Sequence, residues 1–340
     1  MFGLGWLRAL TDARGLLEHA LHGVPRLGER DTPADYSRVL LYLSLLPEGA
    51  RDEGLVRTYL AFLLHMQKED GRFRNGLTLD GRFEDEGEAE DPTGRAVLAL
   101  AAAQRLPPPY AGPAREALLR ALPALEGFTS LRGRAYALLG LLALPKEPFL
   151  EAAEALGEGL LRAFREAEPA WPYPGPLTYA NHRPVEALYA YGLAFRRQEA
   201  VALARRALAF LKEHYFTPGE EGLFFDPVGN RFMARGRDKP LFDQQPIEAK
   251  CALLAHLRFG ERVLAEVAFL WFHGRNRLRA PLVDAFGPMD GLTPHGPNQN
   301  RGAEALLAYL LAWQALVQGV FPQVDEGVAL GRVFALGGRP

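Results

Sequence analysis

Four polar clusters carry the residue types that acid–base chemistry and hydroxyl binding require. EAEDPTGRA sets Glu90 beside Asp91, with Arg95 one helical turn on. Neighbouring carboxylates can hold one raised and one lowered pKa, the condition for a general acid and a general base. WPYPGPLTYANHRPVEAL supplies Trp171, Tyr179, Asn181, His182 and Arg183, with Glu186 in the next turn. DQQPIEAK supplies Asp243, Gln244 and Gln245, then Glu248. DGLTPHGPNQNRGAEA offers Asp290, His295, Asn298, Asn300 and Glu304. Carboxylates and amides bond vicinal hydroxyls, and aromatic rings stack on the apolar faces of pyranoses. The mixture therefore suits an oligosaccharide or sugar partner. The plainer reading is helix capping, which Asp91, Asp243 and the asparagines could each perform singly.

Other chemistries lack their signatures. There is no HExxH, no paired CxxC, no GK[ST] phosphate loop, no GxSxG and no GxGxxG. The spacing of His22, His182 and His295 does not favour a metal site. No metal and no cofactor is expected. Net charge is −2, so no global field attracts nucleic acid or a membrane. The lone Cys251, in the apolar run KCALLAHL, reads as a buried small hydrophobe and fits a reducing compartment. No signal peptide and no membrane-length apolar stretch is visible, so a cytoplasmic protein is expected. Only five lysines and six asparagines occur, a usage that accords with heat-adapted chains. Three of those six asparagines, Asn181, Asn298 and Asn300, fall in the clusters.

Helical periodicity runs from end to end, in two alternating kinds of segment. Amphipathic stretches with a charged face begin at Trp6, Gly54, Ala114, Phe149, Glu199 and Arg262. Between them, segments from Asp35, Asp91, Ser130, Asn181, Asp243 and Asn298 open on polar residues and then turn small and apolar. A helix apolar on nearly every face is buried on nearly every face. Six half-exposed helices alternating with six buried ones predict an all-α, (α/α)6 toroid spanning residues 1–340 as one domain. An open solenoid also pairs helices, but the buried starts lack a fixed short period. Parallel inner helices would gather all six polar starts at one mouth. Long connections over 68–90, 217–242 and 275–297 should overhang it, and the second contains alternating segments that could form a β-hairpin.

These motifs resemble a known family. MQKEDGRFRNGLTLDGRFEDEGEAEDPTGRAVLAL is similar to the segment of six-hairpin glycosidase-like proteins that reads roughly Q…DGRFHNF…W…EDCHGRALWALG. WPYPGPLTYANHRPVEALYAYG resembles that family's WPWPEDRLTYDNARLPEALI, DQQPIEA its DQQPIEAA, and DGLTPHGPNQNRGAEALLAYLLA its DGLTPDGVNLNQGAESTLAYLLA. The likeness covers roughly residues 22 to 315. It implies an (α/α)6 toroid among proteins labelled glycosyltransferase or associated with mannoside-metabolising enzymes. Two acidic positions of the pattern are missing: only Asp35 remains of the TDDVARAL pair, and Ala180 replaces the aspartate of TYDNARLP. QKEDGRF is similar to the QxxDGxW element of terpenoid-cyclase toroids, which implies a bracing role for Gln67, Asp70 and Phe73.

The expectation that follows is an inverting glycoside hydrolase-like enzyme. Its carboxylate pair would be Glu90 or Asp91 with Asp243, Asp290 in reserve, roughly 6.5 to 9.5 Å apart. Trp171, Tyr179, Asn181, His182, Arg183, Gln244, Gln245, Glu248, His295, Asn298, Asn300 and Glu304 would contact the sugar. A sugar isomerase or epimerase of the same fold would instead need His182 and His295 to face each other over the cavity. A non-catalytic glycan-binding relative is the third expectation.

Overall fold

A computed structural model describes residues 3–12, 15–22, 24–26, 32–78, 80–84, 89–144 and 146–320. The acidic stretch 85–88 of the first long connection and the tail 321–340 lie outside the described residues. Twelve α-helices occur among those described: α1 (Leu4–Ala9), α2 (Pro33–Leu45), α3 (Glu53–Met66), α4 (Glu90–Ala102), α5 (Pro108–Leu125), α6 (Leu131–Leu141), α7 (Phe149–Arg165), α8 (His182–Ala194), α9 (Gln198–Tyr215), α10 (Pro246–Arg258), α11 (Arg262–Leu270) and α12 (Ala303–Gln318).

The even-numbered helices form the inner ring. Each packs on the next, and α12 returns to pack on α2, so the circle closes as a toroid rather than an open solenoid. Nearly every residue of α2, α8 and α10 is buried, as their apolar composition requires. The odd-numbered helices from α3 to α9 are half-exposed and strap the outside. The tightest inner contact joins α4 to α6. A Cβ on Gly94 would lie 2.3 Å from the Gly133 carbonyl oxygen, and one on Gly140 would lie 2.7 Å from the Leu98 Cα. Only glycine lets the two backbones approach so closely.

The first amphipathic segment departs from expectation. Periodicity predicts a helix from Trp6 to Leu21, but α1 stops at Ala9. The cause is a turn in which Asp12 N–H donates to the Gly15 carbonyl at 2.8 Å and Gly15 N–H donates to Asp12 Oδ1 at 3.1 Å. Gly15, at φ 144°, continues the chain in a conformation closed to other residues. After the turn come β1 (Ala20–Leu21) and β2 (Val24–Pro25), a short antiparallel pair.

All three long connections carry hairpins: β3 (Gly76–Leu77) with β4 (Phe83–Glu84), β5 (Phe216–Gly219) with β6 (Gly222–Phe225), and β7 (Val283–Asp284) with β8 (Gly287–Pro288), followed by β9 (Leu292–Thr293) with β10 (Gly296–Pro297). Gln67, Asp70 and Phe73 do brace the fold. Gln67 Nε2 donates to the Ala117 carbonyl of α5 at 2.8 Å, and Asp70 accepts the Arg72 N–H at 3.0 Å. Phe73 is fully buried and its N–H donates to Thr93 Oγ1 of α4 at 2.9 Å.

Candidate functional site

Contacts between helix starts show that the inner helices run parallel. Arg38 in the first turns of α2 reaches Glu304 in the first turn of α12 at 2.8 Å. Tyr179, just before α8, reaches Asp91 in the first turn of α4 at 2.9 Å. Ala180 N–H donates to Glu248 in the first turn of α10. Glu90 of α4 accepts from Thr129 N–H at 2.7 Å and Ser130 N–H at 2.5 Å, ahead of α6. All six polar starts therefore share one mouth, where positive helix ends favour carboxylates.

Three acids are central there. Asp91 is buried, accepts from the Tyr179 hydroxyl and from Arg95 Nη2 at 3.2 Å, and lies 3.9 Å from Arg132. The Arg132 guanidinium stacks 3.9 Å over the Tyr179 ring and donates to Thr178 Oγ1 at 2.8 Å, which fixes Tyr179 against Asp91. Glu304 is more open and ion-pairs with Arg38, which also holds Asp35. Glu248 is 1% exposed and, among the described residues, has no cationic partner. Its Oε1 accepts the Ala180 N–H, and its Oε2 finds no protein partner.

These surroundings drive two pKa values apart. Burial works to raise Asp91, but Arg95, then Arg132 and the Tyr179 hydroxyl, outweigh it and hold the carboxyl below the usual range. For Glu248, burial dominates and pushes the carboxyl up to about 7, against the pull of the Ala180 amide, Tyr215 and Asn181. One group is thus an anion at neutral pH while the other still carries a proton about half the time.

Several other expected residues are occupied elsewhere. Glu90 spends its carboxylate on the backbone ahead of α6. Asp290 accepts Gly302 N–H at 2.6 Å and an Asn300 amide hydrogen, so it caps α12. Asn298 is exposed and accepts Asn300 N–H at 3.1 Å. Neither asparagine opens a helix, because α12 begins only at Ala303. Asp243 is not a cap either: α10 starts at Pro246 with Gln245 before it, and Asp243 stands exposed at φ 61°. Gln244 does not point into the mouth. It is buried between Asp226 at 2.8 Å and the Trp271 indole N–H at 2.9 Å, which use its polar atoms. Asn181 ties Thr178 N–H at 2.9 Å to the Tyr215 hydroxyl at 2.7 Å. Arg183 and Arg258 clasp the buried Glu186 at 2.6 and 3.0 Å. Trp171 packs edge-on against Phe210 in the connection before α8.

The two histidines are separated. His182 is fully buried, edge-on to Tyr215 and beside His256, and burial holds its pKa well below normal. His295 lies exposed in the β9–β10 turn. They do not face each other over a cavity. Among the described residues no three His, Cys, Asp or Glu side chains gather as metal ligands. No described helix is long and apolar enough to cross a membrane.

The sequence did not single out Arg132, which braces Tyr179, or Arg38, Tyr136 and Lys250, which line an inner cavity. A signal was present for Arg38: Asp35–Arg38, like Asp91–Arg95, is a charged pair one turn apart inside an otherwise apolar helix.

No family model matches the chain, and no curated protein matches it in sequence. Solved structures do match in fold. A D-mannose isomerase superposes with a TM-score of 0.69 at 9% identity, covering 94% of this chain and 96% of its own. A cellobiose 2-epimerase from Bacillus thermoamylovorans gives 0.67 at 8% identity, over 91% and 95%. A GH76 α-mannanase from Bacteroides thetaiotaomicron gives 0.59 at 10% identity, over 98% and 95%. The chain has the (α/α)6 toroid fold that these carbohydrate-active enzymes share.

Proposed function

We propose that this protein is a carbohydrate-active enzyme that cleaves a glycosidic bond with inversion, using Glu248 as general acid and Asp91 as general base. The observation that carries the reading is the divergence of their pKa values within one mouth, Glu248 raised to about 7 and Asp91 lowered. Glu248 would protonate the leaving oxygen through Oε2, the buried carboxyl oxygen without a hydrogen-bond partner among the described residues. Asp91, kept ionised by Arg95 and Arg132, would take a proton from the attacking water. Tyr179 and Glu304 would hold sugar hydroxyls, and the exposed Asp243 would be the alternative carboxylate at the rim. The fold shared with a mannanase supports this class of substrate.

The test is incubation with manno- and gluco-oligosaccharides while NMR follows the anomer released. Inverted product supports the proposal. Retained product, or binding without any product, overturns it.

A second reading is sugar isomerisation or epimerisation, favoured by the isomerase and epimerase among the fold relatives. The separation of His182 and His295 removes the two-histidine form of that mechanism, so Glu248 would have to move the proton. Deuterium uptake from heavy water into recovered monosaccharide, without bond cleavage, would select it.

A further inference from the structure

Beneath the mouth, all six inner helices converge on a small cavity. Ser37 and Arg38 come from α2, Arg95 from α4, Tyr136 from α6, Arg183 from α8 and Lys250 from α10, with leucines completing the wall, Leu311 of α12 among them. These six polar residues are all at least nine-tenths buried. The space measures about 20 Å³ at the centres of water-sized spheres, room for one small ion or one water.

Two arginine N–H groups and two hydroxyls of this lining lack a protein partner. Ser37 Oγ, Arg38 Nε, Tyr136 Oη and Arg183 Nε are buried without a hydrogen-bond partner among the described residues. Lys250, 2% exposed, makes no ion pair or hydrogen bond among the described residues. Buried donors left unmatched each cost about 1–3 kcal/mol, and charged ones more, so four such atoms beside a buried lysine amine require an acceptor. The charge balance points the same way. Five arginines, Arg38, Arg95, Arg132, Arg183 and Arg258, share four carboxylates, Asp35, Asp91, Glu186 and Glu304, and Lys250 is paired with none. None of those four lines the cavity.

We propose that this axial cavity binds one chloride-sized monovalent anion, held by Lys250 Nζ, Arg38 Nε and Arg183 Nε with the hydroxyls of Ser37 and Tyr136. Its role is to neutralise the cations that position the mouth carboxylates from below, since Arg38 and Arg95 grip Glu304 and Asp91 with their outer nitrogens. Burial, with Arg183, Arg38 and Arg95 alongside, pushes the Lys250 amine down to about 7, and a bound anion would restore its charge. A neutral water could accept from only two of the five donors. Sulfate or a substrate carboxylate exceeds the space.

The experiment measures thermal unfolding while chloride or bromide replaces sulfate at constant ionic strength. A saturable rise of about 3–5 °C with either halide is expected. Lys250→Met, which keeps the stem and removes the charge, should abolish the halide response. Crystals of the wild-type protein grown in millimolar bromide should show an anomalous peak within contact of Lys250 Nζ. No halide response, an equal response to sulfate, a full response in Lys250→Met, or a cavity without the bromide peak would each overturn the proposal. Should Lys250→Met fail to fold, the wild-type bromide map decides alone.

Discussion

Asp226 and Asp91 are both buried aspartates beside two cations, yet they serve different ends. Asp226, on the connection after β6, is enclosed by Lys239 at 2.8 Å, Arg277 at 2.5 Å, Thr217 at 3.1 Å and Gln244 at 2.8 Å. Its partners come from the same pair of long connections, which it pins to α10 through Gln244. Asp91 meets Arg95, Arg132 and Tyr179 at the converging ends of inner helices, the same mouth as Glu248, which has no cationic partner among the described residues. Polar density at a helix start is therefore ambiguous. What separates a clasp from a site is whether the polar groups consume one another or leave an atom without a partner.

The comparison breaks most sharply at Glu248. Glu248→Gln should lower turnover by about 10²–10⁴-fold, the range of a lost general acid or base. It should leave the fold at least as stable at neutral pH. A carboxyl raised from 4.5 to about 7 favours the folded state at low pH, and that contribution is lost as pH rises from 4.5 through 7. Glutamine removes this slope, so denaturant titrations at pH 4.5 and 7.5 should differ less in the variant. In the wild type, kcat/KM should fall as pH rises past about 7, where Glu248 gives up its proton.

Asp226→Ala should do the opposite, costing about 3–5 kcal/mol because Lys239 and Arg277 are left facing each other without an anion. Turnover per folded molecule should survive. Burial opposes ionisation of Asp226, but Arg277 and Lys239 outweigh it and lower its pKa. Its contribution is thus present above the unfolded value near 3.8 and is lost as pH falls through the still lower folded value. Acid unfolding of the wild type and the variant should therefore converge at low pH. If Asp226→Ala silences the enzyme without destabilising it, the division between clasp and site is wrong.

Tyr179→Phe is the finer probe. It deletes one hydroxyl from Asp91 and should cost about tenfold in kcat/KM, in keeping with about 1.5 kcal/mol for a hydrogen bond to a charged group. The acid limb of the pH profile should also move upward, since that hydroxyl helps hold the Asp91 pKa down. Asp243→Asn should do least. The residue is exposed in the left-handed region, which asparagine tolerates well, so its melting temperature and its turnover should both stay close to wild type. Loss of turnover in Asp243→Asn would move the catalytic carboxylate to the rim.

Much of the architecture was legible in the chain. The alternation of half-exposed and wholly apolar helices fixes two layers, because burial on one face or on all faces leaves its mark residue by residue. The hairpin at β5–β6 and the bracing by Gln67 and Phe73 are local patterns of the same sort. The failures are those in which a single residue overrides the period, as Asp12 and Gly15 do when they end α1. Orientation within the mouth was not legible. Gln244 and Glu248 lie four residues apart at the same helix start, yet one is turned outward to Asp226 and Trp271 and the other faces the Ala180 amide.

The sequence by itself determined which residues are polar where burial is expected, and so which helix ends matter. Only the tertiary structure decided which of those residues meet. Partners of Asp91 lie 4, 41 and 88 positions away, and the lysine whose charge goes unmatched sits two residues beyond Glu248 on the same helix. A pKa depends on distance in space and on exclusion of water, and neither is a property of neighbours along the chain. Closing the ring of α2 to α12 sets both at once.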